Sequence, residues 1–184
     1  MVSPHYFIVK PFDGKRYDNM RKYGDVDFII SASIEDHTVT QRLAIVENVP
    51  IGYDGPVEVG DFVIVHHNVF RIYYDQSGLE RSSWNYYKND IFAIDSNQLY
   101  LYKKKEGKWK APSPYCFIEP IKKKESLLAS SEVNEELWGR VAYYPNDSLE
   151  VGQLVSFLPD MEYEFTIDGK VLYRMKTDHV CLKA

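Results

Sequence analysis

Cysteine is scarce in this 184-residue chain, and its scarcity excludes two classes at once. Cys116 and Cys181 are too few for a disulfide framework, and neither stands in the CxxC spacing of a zinc site. Their strand-like contexts, YCFI and HVCL, read as two reduced core thiols. A basic excess is missing as well: the formal charge is −5, which argues against a dedicated nucleic-acid binder. No apolar stretch approaches the ~20 residues of a membrane helix. The start, MVSPHYFIVKP, has no basic flank before a long apolar run, so no signal peptide is expected. Nor does a glycine-rich loop open a helix to hold phosphate, and no Ser/His/Asp or Cys/His arrangement has a motif around it. His66 and His67 are neighbours at a strand end and face opposite ways, while His5, His37 and His179 stand alone. These absences lead us to expect a cytoplasmic protein with no cofactor, no metal and no membrane partner, and not an enzyme.

Hydrophobic residues make up 45% of the chain, enough for a packed core. Fifteen Tyr and nine Phe, with Val and Ile throughout, favour strands. One pattern recurs. VEVGDFVIV (Val57 to Val65) is echoed by LEVGQLVSF (Leu149 to Phe157), with Gly60 mapping to Gly152 at an offset of 92. PHYFIVKP resembles SPYCFIEP, taking Pro11 to Pro120 at 109; RLAIV pairs with RVAYY, taking Arg42 to Arg140 at 98; NDIFAI pairs with TDHVCL, taking Asn89 to Thr177 at 88. The offset drops only in loop-like stretches, as two copies of one fold require, because buried ladders fix register and surface loops do not.

Each copy therefore reads as short strands punctuated by turns, an all-β chain of two small β-barrels. Residues 1–97 form the first domain and residues 111–184 the second. Residues 98–110, with a polar tip at Glu106-Gly107, read as an inserted hairpin and linker. A short helix is expected over SSEVNEELWGR, Ser130 to Arg140.

The order of these segments resembles the GroES co-chaperonin family: a strand ending in Lys-Pro or Glu-Pro, a polar loop, an apolar triplet, "RLAIV", "VEVGDFVIV", a hairpin and "DIFAI". The resemblance covers nearly the whole chain twice and excludes the inserted hairpin. Only Glu47–Pro56 and Pro145–Leu149 stand where familiar members fold a roof hairpin, so the roof is absent, as in bacteriophage members. That likeness would place the chain in a host cytoplasm. Two copies per chain resembles the tandem co-chaperonins of chloroplasts.

The resemblance implies a function without bond chemistry: capping an ATP-driven chaperonin ring so that an unfolded substrate protein folds inside. ATP would be bound by the partner chaperonin and not by this chain, which would itself assemble as a homo-oligomeric ring. Phe12–Asp27 (FDGKRYDNMRKYGDVD) would be the mobile arm of copy one and Phe28, Ile29 and Ile30 its docking tooth. In copy two the triplet falls on Ser126, Leu127 and Leu128, after a short loop, Lys122–Glu125. The resemblance would also let Ile91–Ile94 pair with Cys116–Ile118 within one chain. Two other classes stay open. One is a structural ring or scaffold that kept the fold and lost chaperonin binding. The other is a barrel binding single-stranded nucleic acid through KKKEGKWK (Lys103 to Lys110) and nearby aromatics; a lysine-tipped hairpin more often protects a sheet edge.

Overall fold

A computed structural model describes residues 2–17, 20–29, 39–121, 137–167 and 169–183; for residues 20–23 and 26–29 it describes the backbone alone. The chain divides into two units, Met1–Lys108 and Trp109–Ala184. Each is built on one six-stranded antiparallel sheet.

In the first unit the sheet contains β1 (Phe7–Pro11), β4 (Leu43–Asn48), β5 (Phe62–Val65), β8 (Tyr86–Lys88), β9 (Ile91–Ile94) and β10 (Leu99–Lys103). Their order is β10-β5-β4-β1-β9-β8. Two small hairpins stand apart, β2 (Met20–Tyr23) with β3 (Val26–Ile29), and β6 (Ile72–Tyr74) with β7 (Glu80–Ser82). The second unit has β11 (Tyr115–Pro120), β12 (Trp138–Tyr143), β13 (Leu154–Phe157), β14 (Tyr163–Ile167), β15 (Lys170–Lys176) and β16 (Val180–Lys183), ordered β14-β15-β11-β12-β13-β16. The all-β expectation holds. Among the described residues no sheet closes into a barrel, and the twin barrels expected from the sequence are two open sheets.

Both cores form where the sheet's inward positions converge. Val9, Val46, Val63, Val65, Phe92 and Ile94 are buried in the first unit, and Cys116, Ile118, Val141, Val155, Phe157 and Met175 in the second. Side chains of this kind stabilise by about 1.5–3 kcal/mol each when removed from water. Proline ends β1 and β11 for one local reason: Pro11 and Pro120 have no N–H to donate to a ladder.

Read from opposite ends, the two strand orders coincide, and the pairings fix the repeat strand by strand. β1 maps to β11 at 109 and β5 to β13 at 92, as the sequence suggests. The other two offsets need correction. Val46 N donates to Asp61 O and Gly60 N to Val46 O; Val141 N donates to Gln153 O and Gly152 N to Val141 O. Val46 therefore corresponds to Val141, an offset of 95 rather than 98, and both are sealed from water. An odd slip of three residues exchanges the faces of a strand, and that exchange would have put half-exposed Leu43 in the place of Val141. Even the irregularities agree: the ladder shifts between Ile8 and Val9 in one sheet and between Phe117 and Ile118 in the other.

NDIFAI does not correspond to TDHVCL. Phe7 opposes Ile94 and Cys116 opposes Met175, which maps β9 onto the last residues of β15 at an offset of 81. The same 81 carries Leu99 to Val180 and Leu101 to Leu182, each opposite the matching residue of β5 or β13. Leu99–Lys103 is thus no part of an inserted hairpin: it is the strand that completes the first sheet, as Val180–Lys183 completes the second. A tight turn leads from β9 to β10 and another from β15 to β16, Ser96–Gln98 and Thr177–His179. The pairing of Ile91–Ile94 with Cys116–Ile118 is excluded, because β9 lies between β1 and β8 and β11 between β12 and β15. Trp138 to Arg140, expected to close a helix, begin β12; residues 130–136 lie outside the described residues. Cys116 is in the core, whereas Cys181 is exposed.

The glycine turn is the repeat's shared local signal. Gly60 and Gly152 adopt φ of 89° and 88°, a region only glycine enters freely. Behind each, the next side chain caps the turn: Asp61 Oδ2 accepts from Glu58 N at 2.8 Å, and Gln153 Oε1 from Glu150 N at 3.3 Å. Asp61 is buried and also holds Lys104 Nζ at 3.1 Å. Partial desolvation opposes the charge on Lys104, but hydrogen bonds to Glu58 and Asp61 outweigh it and hold the ammonium above the usual lysine range.

Candidate functional site

Since the two frames share register, their functional differences lie in the connections. Between β1 and β4 the offset falls from 109 to 95, so the first copy's connection, residues 12–42, is 14 residues longer than residues 121–137 of the second. Between β5 and β9 it falls from 92 to 81, so residues 66–90 carry 11 more than their counterpart. The second frame closes without either excess, so burial does not demand them.

The longer connection has a built root. Phe12–Gly14 form a single tight turn with Asp13 and Gly14 at positive φ, and the Phe12 ring meets Phe62 edge-on at 5.8 Å. Arg16 then spreads its guanidinium over the second excursion. Nε donates to Phe70 O at 3.0 Å, Nη1 to Ser82 Oγ at 3.0 Å and Nη2 to Arg71 O at 3.1 Å. The same group lies over the rings of Phe92 and Tyr86, at 5.2 and 5.7 Å from their centres. Burial lowers the Arg16 pKa, yet an arginine keeps its charge through such a shift. Beside it, the Tyr17 hydroxyl accepts from Ile72 N at 2.8 Å, and burial raises its pKa. On the return path Gln41 N donates to Arg16 O at 2.9 Å, and Tyr17 bridges to Thr40. The connection is therefore pinched shut at residues 16–17 and 40–41, and the described residues 20–29 between them form an arm.

Within that arm Met20–Tyr23 pairs with Val26–Ile29 around Gly24-Asp25, with Gly24 at φ 63°. Of the arm expected over Phe12–Asp27, the first residues are tied to the body and Met20–Asp27 belongs to a hairpin. Of the expected docking residues, Phe28 stands opposite Arg21 and Ile29 opposite Met20 in the ladder. Ile30 lies outside the described residues, as do Leu127 and Leu128 of the second copy; Phe28 and Ile29 are successive residues of β3. Arg16 and Tyr17 escaped the sequence reading, where they looked like two polar loop residues. Their one signal was an arginine next to an aromatic at the start of a polar loop.

Among the described residues no group of three or more His, Cys, Asp or Glu could hold a metal ion. Among the same residues no helix is long and apolar enough to cross a membrane. No family model matches the chain and no curated protein matches it either.

Proposed function

We propose that this chain is a GroES-like co-chaperonin: a doubled all-β body that assembles as a ring, caps an ATP-driven chaperonin and encloses an unfolded substrate protein. One observation carries the reading. Two copies keep the same strand order and hydrogen-bond register, while the first alone adds 14 residues between β1 and β4 and anchors them with Arg16 and Tyr17. Length that a fold does not need, held at the body by a dedicated clamp, is the mark of a segment kept for binding.

On this reading the arm carries Phe28, Ile29 and Ile30 to the chaperonin. The pinch holds residues 12–17 and 40–42 in place before docking, so a grip costs less entropy than a free loop of 31 residues would. Burying three such side chains supplies a few kcal/mol at ~25 cal/mol per Å². One grip of that size is weak and reversible; several on a ring restore avidity through effective concentration. Leu127 and Leu128 would play the same part in the second copy from a shorter connection.

Co-sedimentation with a chaperonin ring in ATP tests the proposal. The unaltered chain is expected to pellet with the ring, and a variant with Phe28, Ile29 and Ile30 all changed to Ser to stay in the supernatant with an unchanged β-rich circular dichroism spectrum. Retention of the triple variant on the ring would remove the docking assignment. Failure of the unaltered chain to pellet would remove the co-chaperonin reading itself and leave the structural ring.

A further inference from the structure

The first copy's other excess, residues 66–90, builds a cleft of about 530 Å³, inside the range of about 300–1,000 Å³ that small-ligand sites occupy. Its wall is aromatic. Tyr73 and Tyr74 come from β6, and Trp84 sits at a turn closed by Tyr86 N donating to Ser83 O at 3.1 Å. Trp84 is 98% exposed and Tyr74 52% exposed, so these two aromatic faces are turned outward instead of packed. The turn that presents them is firmly built. Ser83 N donates to Arg71 O at 3.0 Å, Asn85 Nδ2 to Ala93 O at 2.7 Å, and Asn85 and Gln98 exchange amide hydrogen bonds of 2.7 and 3.1 Å. A rigid turn that holds an indole in water costs free energy, and nothing in the frame needs it there, because the second copy closes without it.

The floor adds a donor without an acceptor. Arg71 lines the cleft, and its Nε is buried with no hydrogen-bond partner among the described residues. A buried donor left unpaired costs about 1–3 kcal/mol, and a shift of the Arg71 side chain toward a ligand oxygen would recover it. Charge selects among ligands. The eight lining residues include one cation, Arg71, and no acid; nearby Arg81 is spent on Asp75 at 2.8 Å. A polyanion would find a single free positive group here on a chain of net charge −5, too little for the phosphate contacts that dominate nucleic-acid affinity. A neutral polyhydroxyl ligand fits these features: its C–H faces lie on the electron-rich faces of Trp84 and Tyr74, and its oxygens accept from Arg71 and the side-chain amide of Asn68.

We propose that this cleft is a carbohydrate-binding site for a neutral oligosaccharide, seated on Trp84 and Tyr74 with Arg71 as the buried donor. It shares no residue with the chaperonin arm and stands or falls apart from it.

Calorimetric and tryptophan-fluorescence titrations of the full chain with maltohexaose, cellohexaose and chitohexaose test the site, with a dT12 oligonucleotide as the competing class. At least one hexaose is expected to bind and to shift the emission. Trp84→Ala is expected to weaken it about tenfold or more, a loss of about 1.4 kcal/mol, and Arg71→Met by a comparable factor. The circular dichroism of both variants should match that of the parent. No binding of any hexaose up to several millimolar overturns the proposal, as does a folded Trp84→Ala chain that binds as tightly as the parent. Trp84-dependent binding of dT12 that falls steeply with salt would overturn it in favour of a single-strand site.

Discussion

The two halves of this protein share a frame and differ in what is hung on it. Strand order, the glycine turn, the capping side chain and the ladder shift agree between them residue for residue. The first half carries two excursions, residues 12–42 and 66–90, which Arg16 joins through three hydrogen bonds to one another's backbone and side chain. The second half has neither excess. Its counterpart of residues 66–90 is only the turn and hairpin leading through β14 into β15. Where strands must pair and bury, the copies have been held together; where nothing is buried by necessity, they have been free to diverge. The first copy is thus the one to search for binding sites and the second shows what the fold alone requires.

The comparison can be broken most sharply at one matched pair, Ala44 and Gly139. A Cβ built on Gly139 would lie 2.3 Å from Ile118 Cγ2 and 2.7 Å from Glu119 O, and the latter is backbone that cannot swing away. Gly139→Ala should therefore destabilise the second unit by about 2–3 kcal/mol. The reverse change in the first copy, Ala44→Gly, should cost only about 1 kcal/mol. Urea unfolding of the two variants checks the order. Equal losses would mean that the two frames are less alike in packing than in register.

Removing the clamp is expected to have the next largest effect. Arg16→Ala leaves Phe70 O and Ser82 Oγ without this donor, and Arg71 O with Ser83 N alone, and should cost about 2 kcal/mol. Arg16→Lys keeps the charge but cannot span the three acceptors, so it should recover less than half of that loss. Hydrogen exchange should quicken in residues 70–82 and leave the second unit unchanged. Uniform exchange across both units would refute a clamp local to the first copy.

The effect that is smallest near neutral pH is chemical, because the thiol titrates only in alkali. Burial, with a lesser contribution from Asp178, pushes the Cys116 thiol up to about 12. The unfolded thiol ionises near 8.5, so between that value and about 12 the unfolded chain binds fewer protons than the folded one. Stability is present below the unfolded value and declines as pH rises through this window, by at most about 1.4 kcal/mol per pH unit. Cys116→Ala should remove that slope from the second unit between pH 9 and 11, measured by urea unfolding. A slope unchanged by the substitution would deny that the thiol causes it.

How much of this was legible beforehand depends on whether the signal was local. VEVGDFVIV and LEVGQLVSF announce a glycine with positive φ followed by a buried strand, and both were found in place at the expected offset. RLAIV and RVAYY matched by composition and misled by three residues, because short apolar strings tolerate a slip that a hydrogen-bonded ladder does not. NDIFAI misled for the same reason, and the mistake made β10 look like an insertion. Of the candidate site, the length of the first connection could be read directly. Its root could not, since Arg16 finds partners 54 to 66 residues away.

By itself the sequence determined the class of structure, its doubling and the places where the backbone turns, because each depends on what neighbouring residues allow: a missing Cβ, a missing N–H, alternation at period two. The tertiary structure alone decided which strand closes each sheet, which residues are true counterparts, and where the guanidinium of Arg16 and the indole of Trp84 are directed. Those outcomes depend on which distant carbonyls and apolar faces come together, and no short stretch of chain carries that information.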